Sequence, residues 1–284
     1  MDEFFQLRKL SVPLPGLDRP YTLLHFTDLH ICERDSESSR EDAEASARCN
    51  RHWEQLRYSF AAEFGDSTAP EHCISLKGYM DRFVNLANEL SPDAVVITGD
   101  AMDIYTDSNI RYLERAVRKI HAPTALLRGN HERGDHPEYA RLYGDHPDFR
   151  LIRVGVLRLL LIDDSERRVS ADTLAAVRKA ASEDGVPVLC SHIPFYTPTS
   201  AAYWDTLEPY YTVNPANPDC DDATKAFVSY LASPDCPIVL HLCGHIHGFS
   251  RTDLSPGRPQ LTATSAMLGG CTLLTLTPER PAHN

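Results

Sequence analysis

The chain has 284 residues, with 28 lysines and arginines against 40 aspartates and glutamates and a formal charge of −12. This acidic balance argues against a broad grip on the phosphate backbone of nucleic acid, although it leaves room for a local positive site. Apolar runs such as residues 159–162 are far too short to cross a bilayer, and residues 1–5 do not resemble a signal peptide, so neither a membrane span nor export is predicted.

Eight cysteines are scattered along the chain without a Cys-x-x-Cys pair. This spacing is typical of reduced thiols and predicts a cytoplasmic protein. Cys190 and Cys243 stand in apolar runs beside candidate ligands, where small buried side chains are expected. We therefore leave all the cysteines out of the metal site.

Strands and helices alternate in the first half of the chain. Residues 21–27 predict a buried strand, and the Asp28 and His30 that follow it are expected to share a face, because side chains at i and i+2 point the same way in extended backbone. After them the patterns predict a helix at 76–90, a strand at 94–98, a helix with apolar positions at Ile110, Leu113, Val117 and Ile120, and a strand at 125–127. This alternation favours a layered α/β protein.

Residues 33–72 are polar and charged, and they predict a helical insertion. One face of its helix carries four large apolar residues, Trp53, Leu56, Phe60 and Phe64. Two interpretations remain open for this insertion: a surface helix pair packed on the core, or a cap over the site.

The second half of the chain predicts further strands and one long loop. The segments are a hairpin or two abutting strands at 151–162, a helix with positions Leu174, Val177 and Ala181, a strand at 186–190, an aromatic loop at 195–220, a strand at 237–242, and strands at 249–254, 260–266 and 271–276. A closing antiparallel meander is predicted for the last three. The aromatic loop could stack a base or sugar, or it could be a packed loop or a dimer contact.

Seven side chains able to bind metal stand where these strands end. They are Asp28, His30, Asp100, Asn130, His192, His245 and His247, and the last two repeat the i, i+2 spacing of the first two. Distant strand ends converge in a layered α/β protein, and carboxylate, amide and imidazole groups together suit transition metals. Because the set runs from position 28 to position 247, one domain over residues 1–284 is predicted.

The order of these phrases resembles the signature of the calcineurin-like metallophosphoesterases: Asp-x-His, Gly-Asp, Gly-Asn-His-Glu, His and Gly-His-x-His. The resemblance implies a two-sheet α/β/β/α sandwich with helices on the outer faces. It also implies two divalent or mixed-valence transition metal ions, Mn, Fe or Zn. One ion would bind Asp28, His30, Asp100 and His247, and the other Asp100, Asn130, His192 and His245. A carboxylate suits the shared position because its two oxygens can span ions about 4 Å apart.

The expected chemistry is hydrolysis of a phosphoester. Two divalent ions outweigh the charge of two aspartates and attract a phosphate ester, and a metal-bridging hydroxide is expected to attack phosphorus in line. By the resemblance, His131 faces the substrate and stabilises the transition state or protonates the leaving oxygen, while Asp103 orients His131. Asp103 as a simple turn cap remains the alternative. Glu132 and Arg128 either support the site or are ordinary surface charges.

Two differences from known branches of this family narrow the range of expected activities. Ile104 and Tyr105 stand where protein serine/threonine phosphatases have Arg-Gly, and Asp103 stands where purple acid phosphatases have a tyrosine ligand. The motifs are more similar to the branch of cyclic-nucleotide and other small phosphodiesterases, which implies a small, nucleotide-like phosphodiester as substrate. The alternatives are a phosphomonoesterase acting on a nucleotide or sugar phosphate, and a non-catalytic binding scaffold. No extended nucleic acid and no membrane are expected as partners, and the oligomeric state is left open.

Overall fold

The computed structural model describes residues 6–63, 76–132, 139–146 and 148–279, and two sheets organise them. The strands of the first sheet are β1 (Gln6–Leu14), β2 (Tyr21–Phe26), β3 (Ala94–Thr98), β4 (Thr124–Leu127) and β11 (Gly270–Pro278). The strands of the second are β5 (Phe149–Val154), β6 (Leu157–Ile162), β7 (Val186–Cys190), β8 (Leu240–Cys243), β9 (Ser250–Ser255) and β10 (Arg258–Thr262). The helices are α1 (Arg40–Glu63), α2 (Leu76–Leu90), α3 (Asp107–Val117), α4 (Tyr139–Tyr143), α5 (Ala171–Ala181), α6 (Ala201–Trp204) and α7 (Asp222–Ala232).

Each sheet contains a block of neighbouring parallel strands, and the carboxyl ends of the two blocks lie at the same side of the molecule. The first has the order β1-β11-β2-β3-β4, with β2, β3 and β4 parallel and β11 antiparallel to β2. The second has the order β5-β6-β7-β8-β10-β9, with β6, β7, β8 and β10 parallel and antiparallel strands at both edges. Parallel strands of this kind are buried on both faces, as the apolar runs predicted.

Three cores separate four layers. Along β2, Leu24 and Phe26 enter a core shared with α2 and α3, whereas Leu23 enters the core between the sheets. The alternation follows from the two-residue period of a strand. The outer face of the second sheet packs on α5 and α7 through residues such as Val177 and Phe227. The α/β/β/α sandwich is therefore confirmed.

Polar side chains fix where several of these helices begin. Thr106, Ser170 and Asp221 each accept a hydrogen bond from the backbone N–H three residues later, at the starts of α3, α5 and α7. Such caps satisfy donors that a helix leaves without a partner.

The prediction of a closing antiparallel meander is wrong. β9 and β10 do pair antiparallel in the second sheet, but β11 belongs to the first sheet, between β1 and β2. The chain crosses between the sheets through the short helical turn Ala266–Leu268, whose Ala266 N–H donates to Thr27 O at 2.7 Å. Local turn signals do not say which sheet a strand joins. β1 and α7 had not been predicted, and the pairing of β5 with β6 confirms the hairpin.

The described part of the predicted insertion at residues 33–72 contains one long helix, α1, whose first half is hydrogen-bonded to the chain after β2. Ser46 Oγ donates to Glu33 O at 3.0 Å, and Asn50 Nδ2 donates to Cys32 O at 2.6 Å. The side chains of Phe60 and Phe64, predicted on the same helix face, lie outside the described residues. Among the helices that are described, none has the length and apolar character that a membrane span requires.

Candidate metal centre

The seven predicted side chains meet where five strands end, and both sheets contribute. Asp28, His30, Asp100 and Asn130 follow strands of the first sheet, and His192, His245 and His247 follow strands of the second. Six of them form two groups, Asp28–His30–His247 and Asp100–His192–His245, and within each group the ligand atoms lie within 4.8 Å of one another. Asn130 joins the second group because its Oδ1 lies 3.1 Å from His192 Nε2.

Most of these loops hold strained backbone. The φ angles are 54° for Asp28, 53° for His30, 48° for Asp100, 72° for His245 and 55° for His247. In the described ranges only seven non-glycine residues have a positive φ, so the strain is concentrated here. Each such residue costs about 1–3 kcal/mol, and strain of this kind clusters at functional sites.

These φ angles also show that one prediction from the sequence is wrong. The i, i+2 pairs were expected to share a face of extended backbone, but none of the four residues is extended. Asp28 and His30 nevertheless reach one group, whereas His245 and His247 reach different groups. The backbone turn at each residue, not the strand period, sets these directions.

Glycines allow the ligand loops to approach one another. A Cβ atom on Gly244 would lie 1.9 Å from Thr27 Oγ1 and 2.7 Å from Asp28 Oδ2. On Gly129 it would lie 2.2 Å from Asp100 Oδ1. A larger residue at either position would displace a carboxylate of the site.

In the first group, one polar atom of His30 and one of Asp28 form hydrogen bonds within the protein, and the other polar atom of each side chain is left for a metal ion. His30 Nδ1 lies 3.2 Å from Asp103 Oδ1, so Nε2 carries the lone pair, and it faces His247 Nε2 at 3.2 Å. Asp28 Oδ2 accepts the His245 N–H at 3.0 Å, while the buried Asp28 Oδ1 has no hydrogen-bond partner among the described residues. An orphaned carboxylate oxygen facing imidazole lone pairs fits a bound cation.

In the second group, His192 is oriented in the same way. Its Nδ1 lies 2.7 Å from the carbonyl oxygen of Thr98 and must donate to it. In the neutral imidazole the lone pair is therefore on Nε2, which lies 3.2 Å from Asp100 Oδ2 and 3.1 Å from Asn130 Oδ1. Imidazole, carboxylate and amide atoms converge here as a transition metal requires.

His245 presents its opposite nitrogen. Its Nε2 lies 3.1 Å from the carbonyl oxygen of Tyr210 and donates to it, so Nδ1 is the atom left for a metal. Burial lowers the pKa of His245 to about 3, which keeps this lone pair available.

Asp100 connects the two groups through a single oxygen. Its Oδ1 accepts the backbone N–H of His131 at 2.8 Å. Its Oδ2 lies 3.2 Å from His192 Nε2 and 4.0 Å from His30 Nε2. One oxygen therefore faces both groups, which differs from the two-oxygen span expected from the sequence.

The buried aspartates make the site attractive to positive charge, whether a proton or a metal ion. Burial acts to lower the pKa of His192, but the charges of Asp100 and Asp28 outweigh it and raise that pKa to about 10. Burial raises the pKa of Asp28 and lowers that of His247 far below its ordinary value. A cation binding here must displace the His192 proton, so its affinity falls as the pH falls.

His131 lies at the open side of the centre. Its Nδ1 is 2.8 Å from Asp103 Oδ1, and its side chain is 36% exposed, against 0% for His30 and His192. Because Nδ1 is engaged, Nε2 is the end that can face a substrate. Asp103 accepts from both His30 and His131, so it couples a candidate ligand to the candidate acid.

Residues 33–72, predicted as an insertion, contribute a side chain that packs against the candidate metal centre. Trp53 of α1 stacks on the His30 ring, with centroids 3.9 Å apart, and lies 5.7 Å from the rings of His131 and His247. It is 5% exposed. The sequence placed Trp53 on an apolar helix face and left a cap over the site open, but it gave no signal that this side chain stacks on His30.

Two buried acids support the ligand loops. Glu132 accepts the backbone N–H groups of Met102 at 2.8 Å and Gly129 at 2.9 Å, and burial raises its pKa to about 8. Of the two interpretations of Glu132, support for the site is the one that this geometry favours. Asp164 was missed, although it follows the apolar strand β6 as Asp28 follows β2, and the same signal could have found it.

Comparison with known proteins identifies the family of this chain. The sequence model of the calcineurin-like phosphoesterase family matches residues 21–249. No curated protein matches the chain in a sequence search.

Three solved structures are similar to this chain at low sequence identity. A dimetal phosphatase from Danio rerio is 12% identical with a TM-score of 0.56, and the alignment covers 92% of this chain and 100% of that one. A purple acid phosphatase from yellow lupin is 11% identical with a TM-score of 0.49, covering 96% of this chain and 48% of that one. A Thermus thermophilus protein is 13% identical with a TM-score of 0.46, covering 87% and 90%. At these identities the first comparison shows the fold alone, and the other two scores carry no further weight. Because the family match spans most of the sequence, the chain belongs to the calcineurin-like phosphoesterase family.

Proposed function

We propose that the chain hydrolyses a small, nucleotide-like phosphodiester with two transition metal ions. Family membership makes it a binuclear metallophosphoesterase, and the choice of a diester rests on the motif resemblance. The observation that carries the proposal is the pair of convergent ligand groups joined by Asp100 Oδ2.

The proposed ligand atoms follow from which end of each side chain the protein already holds. The first ion would bind Asp28 Oδ1, His30 Nε2, His247 Nε2 and Asp100 Oδ2. The second would bind Asp100 Oδ2, Asn130 Oδ1, His192 Nε2 and His245 Nδ1. Manganese, iron and zinc all accept this set of oxygen and nitrogen ligands.

When bound, the ions supply a deprotonated water near neutral pH for in-line attack on phosphorus. The chain's own residues do the remaining work. His131, held by Asp103 at Nδ1, presents Nε2 to donate a proton to the leaving oxygen. Asp103 keeps that imidazole protonated and oriented, and Trp53 keeps solvent from one face of His30.

We also propose a cytoplasmic location. The seven cysteines in the described ranges are free, which suits a reducing compartment. The single-domain organisation over residues 1–284 remains a prediction.

The test is turnover of bis(p-nitrophenyl) phosphate with added Mn²⁺. We expect release of nitrophenol by the wild type and loss of at least 100-fold in Asp100→Asn, because Asp100 would hold both ions (about 3 kcal/mol or more). Asp222→Asn, an exposed aspartate on α7, is the matched control and should be unchanged. Full activity of Asp100→Asn contradicts the proposal.

The same preparation decides between substrate classes. Faster turnover of p-nitrophenyl phosphate than of the diester would favour the phosphomonoesterase. Two bound metals with no turnover of either ester would favour the binding scaffold.

A further inference from the structure

One short turn after β6 touches both histidines of the second ligand group. The N–H of Arg167 donates to Asp164 O at 2.8 Å and closes the turn. This segment, Asp164–Arg167, lies beside the end of β7, since β6 and β7 are parallel neighbours. We call it the Asp164–Arg167 turn.

The first end of the turn fixes the backbone of His192. Asp164 is fully buried, and its Oδ1 accepts the His192 N–H while its Oδ2 accepts the Ile193 N–H, both at 2.9 Å. Bonds from backbone N–H groups to a carboxylate are among the strong ones in proteins. One side chain therefore binds two consecutive backbone N–H groups of the loop that follows β7.

The other end of the turn reaches His245 through a carbonyl group. Arg167 donates to the Tyr210 oxygen from Nε at 3.2 Å and from Nη2 at 3.0 Å, and His245 Nε2 donates to the same oxygen at 3.1 Å. Arg167 Nη2 lies 3.4 Å from His245 Nε2, but both atoms are donors, so this contact is not a hydrogen bond. Both side chains converge on one acceptor.

The backbone of Arg167 is strained to make this arrangement. Its φ is 57°, and it is one of two positive-φ non-glycine residues in the described ranges that are not proposed ligands. The other, Ser91, follows the end of α2, where this conformation is common. Glycine or asparagine would adopt this left-handed backbone conformation at lower cost than arginine. We infer that the contacts of the arginine side chain offset that cost.

We propose that the Asp164–Arg167 turn positions the second metal-binding group, and that Arg167 acts on His245 through the carbonyl oxygen of Tyr210. The turn also ties the aromatic segment that contains Tyr210 to the metal centre. This inference rests on the proposed function, because it takes His192 and His245 as ligands of one ion. Arg167 is a positioning residue here and needs no contact with the substrate.

The experiment measures metal binding directly and does not depend on turnover. Metal-free wild type, Arg167→Ala, Arg167→Lys and Arg168→Ala are titrated with Co²⁺, whose visible absorption reports coordination number, and bound metal is counted after dialysis. In Arg167→Ala we expect the affinity for one of the two ions to fall on the order of 10–100-fold while the other is kept, as when a group that orients a metal-binding histidine is lost. Arg167→Lys, which still donates to the carbonyl, should recover part of that affinity. Arg168→Ala removes a neighbouring exposed arginine and should bind both ions normally.

Three results would overturn the inference. Arg167→Ala with two ions at wild-type affinity removes the role of Arg167. Equal loss of both ions in Arg167→Ala, with a lower unfolding temperature that Lys does not restore, shows a general structural role. Equal weakening in Arg168→Ala shows an effect of charge alone. Failure of the wild type to bind two ions would instead contradict the proposed function.

Discussion

At the scale of single residues, hydrogen bonds within the protein determine which atom of each candidate ligand is left for a metal ion. Asp28 Oδ2, Asp100 Oδ1 and His30 Nδ1 each have a protein partner, and the opposite atom of each side chain points to the centre. Such engagement fixes tautomers and orientations before any ligand arrives. The glycines next to these residues matter because they let the partners come close enough.

Gly244→Ala tests this closeness. The added Cβ would lie 1.9 Å from Thr27 Oγ1 and 2.7 Å from Asp28 Oδ2, so Asp28 must shift. We expect a loss of affinity for one ion on the order of tenfold or more, measured by titration of metal-free protein. Gly248→Ala is the control, because its Cβ would meet nothing nearer than 3.8 Å. Normal binding of both ions by Gly244→Ala would contradict the orientation argued for Asp28.

A second residue-scale prediction concerns pH. His241 is buried between Ser191 Oγ and Gln260 Oε1, each 2.8 Å away, and burial lowers its pKa to about 4 from 6.5. The folded chain therefore stays neutral at this position where the unfolded chain takes up a proton. Stability is lost as the pH falls from about 6.5 to about 4, by up to about 3 kcal/mol from this group.

Denaturant unfolding of metal-free protein at pH 7 and pH 4.5 measures this loss. We expect the difference in unfolding free energy between the two pH values to be smaller in His241→Asn than in the wild type. His121→Asn, at an exposed position, should behave as the wild type does. An unchanged difference in His241→Asn would show that His241 is already protonated in the folded chain.

At the scale of elements, the sequence predicted where strands end but not which strands pair with one another. An apolar run that stops at a polar phrase reports the end of a parallel strand, which is why all seven candidate ligands could be placed from the sequence. β11 could not be placed, because the first sheet receives it through long-range pairing with β1 and β2. The role of Arg167 was missed for a similar reason, since its effect on His245 passes through a backbone carbonyl group, whereas Asp164 could have been found from its place after β6.

Helix α1 gives a prediction at this scale. Trp53 lies against His30, whereas the other tryptophan, Trp204, packs edge-on against Tyr203 at 4.8 Å. An open-shell ion such as Co²⁺ bound to His30 lies within a few ångströms of the Trp53 indole and should quench its fluorescence. We therefore expect strong quenching in Trp204→Phe, which keeps Trp53, during titration of the metal-free protein.

The reciprocal variant is the control. Trp53→Phe keeps only Trp204 and should be quenched much less by the same additions of Co²⁺. Equal quenching in both variants would mean that α1 does not hold Trp53 over the first ligand group in solution.

At the scale of the whole molecule, the metal centre joins the two sheets. Four proposed ligands follow strands of the first sheet and three follow strands of the second. The sheets also share an apolar core that includes Leu23, Leu159 and Leu240, so the fold does not depend on metal alone. Bound ions should therefore add to the stability of a structure that already forms without them.

Thermal unfolding with and without metal measures how much bound ions add to the stability that the apolar core provides. An ion that binds only the folded chain stabilises it by about 2.7 kcal/mol at a free concentration one hundred times its dissociation constant, or roughly 5 °C in a chain of this size. We expect Mn²⁺ to raise the unfolding temperature of the wild type, and a chelator to lower it without unfolding the protein at 25 °C. Asp100→Asn should lose most of the increase because Asp100 Oδ2 faces both proposed ligand groups, while Asp222→Asn should keep it. The same increase in Asp100→Asn would mean that the ions act elsewhere, and unfolding on chelation would mean that the core between the sheets is not sufficient.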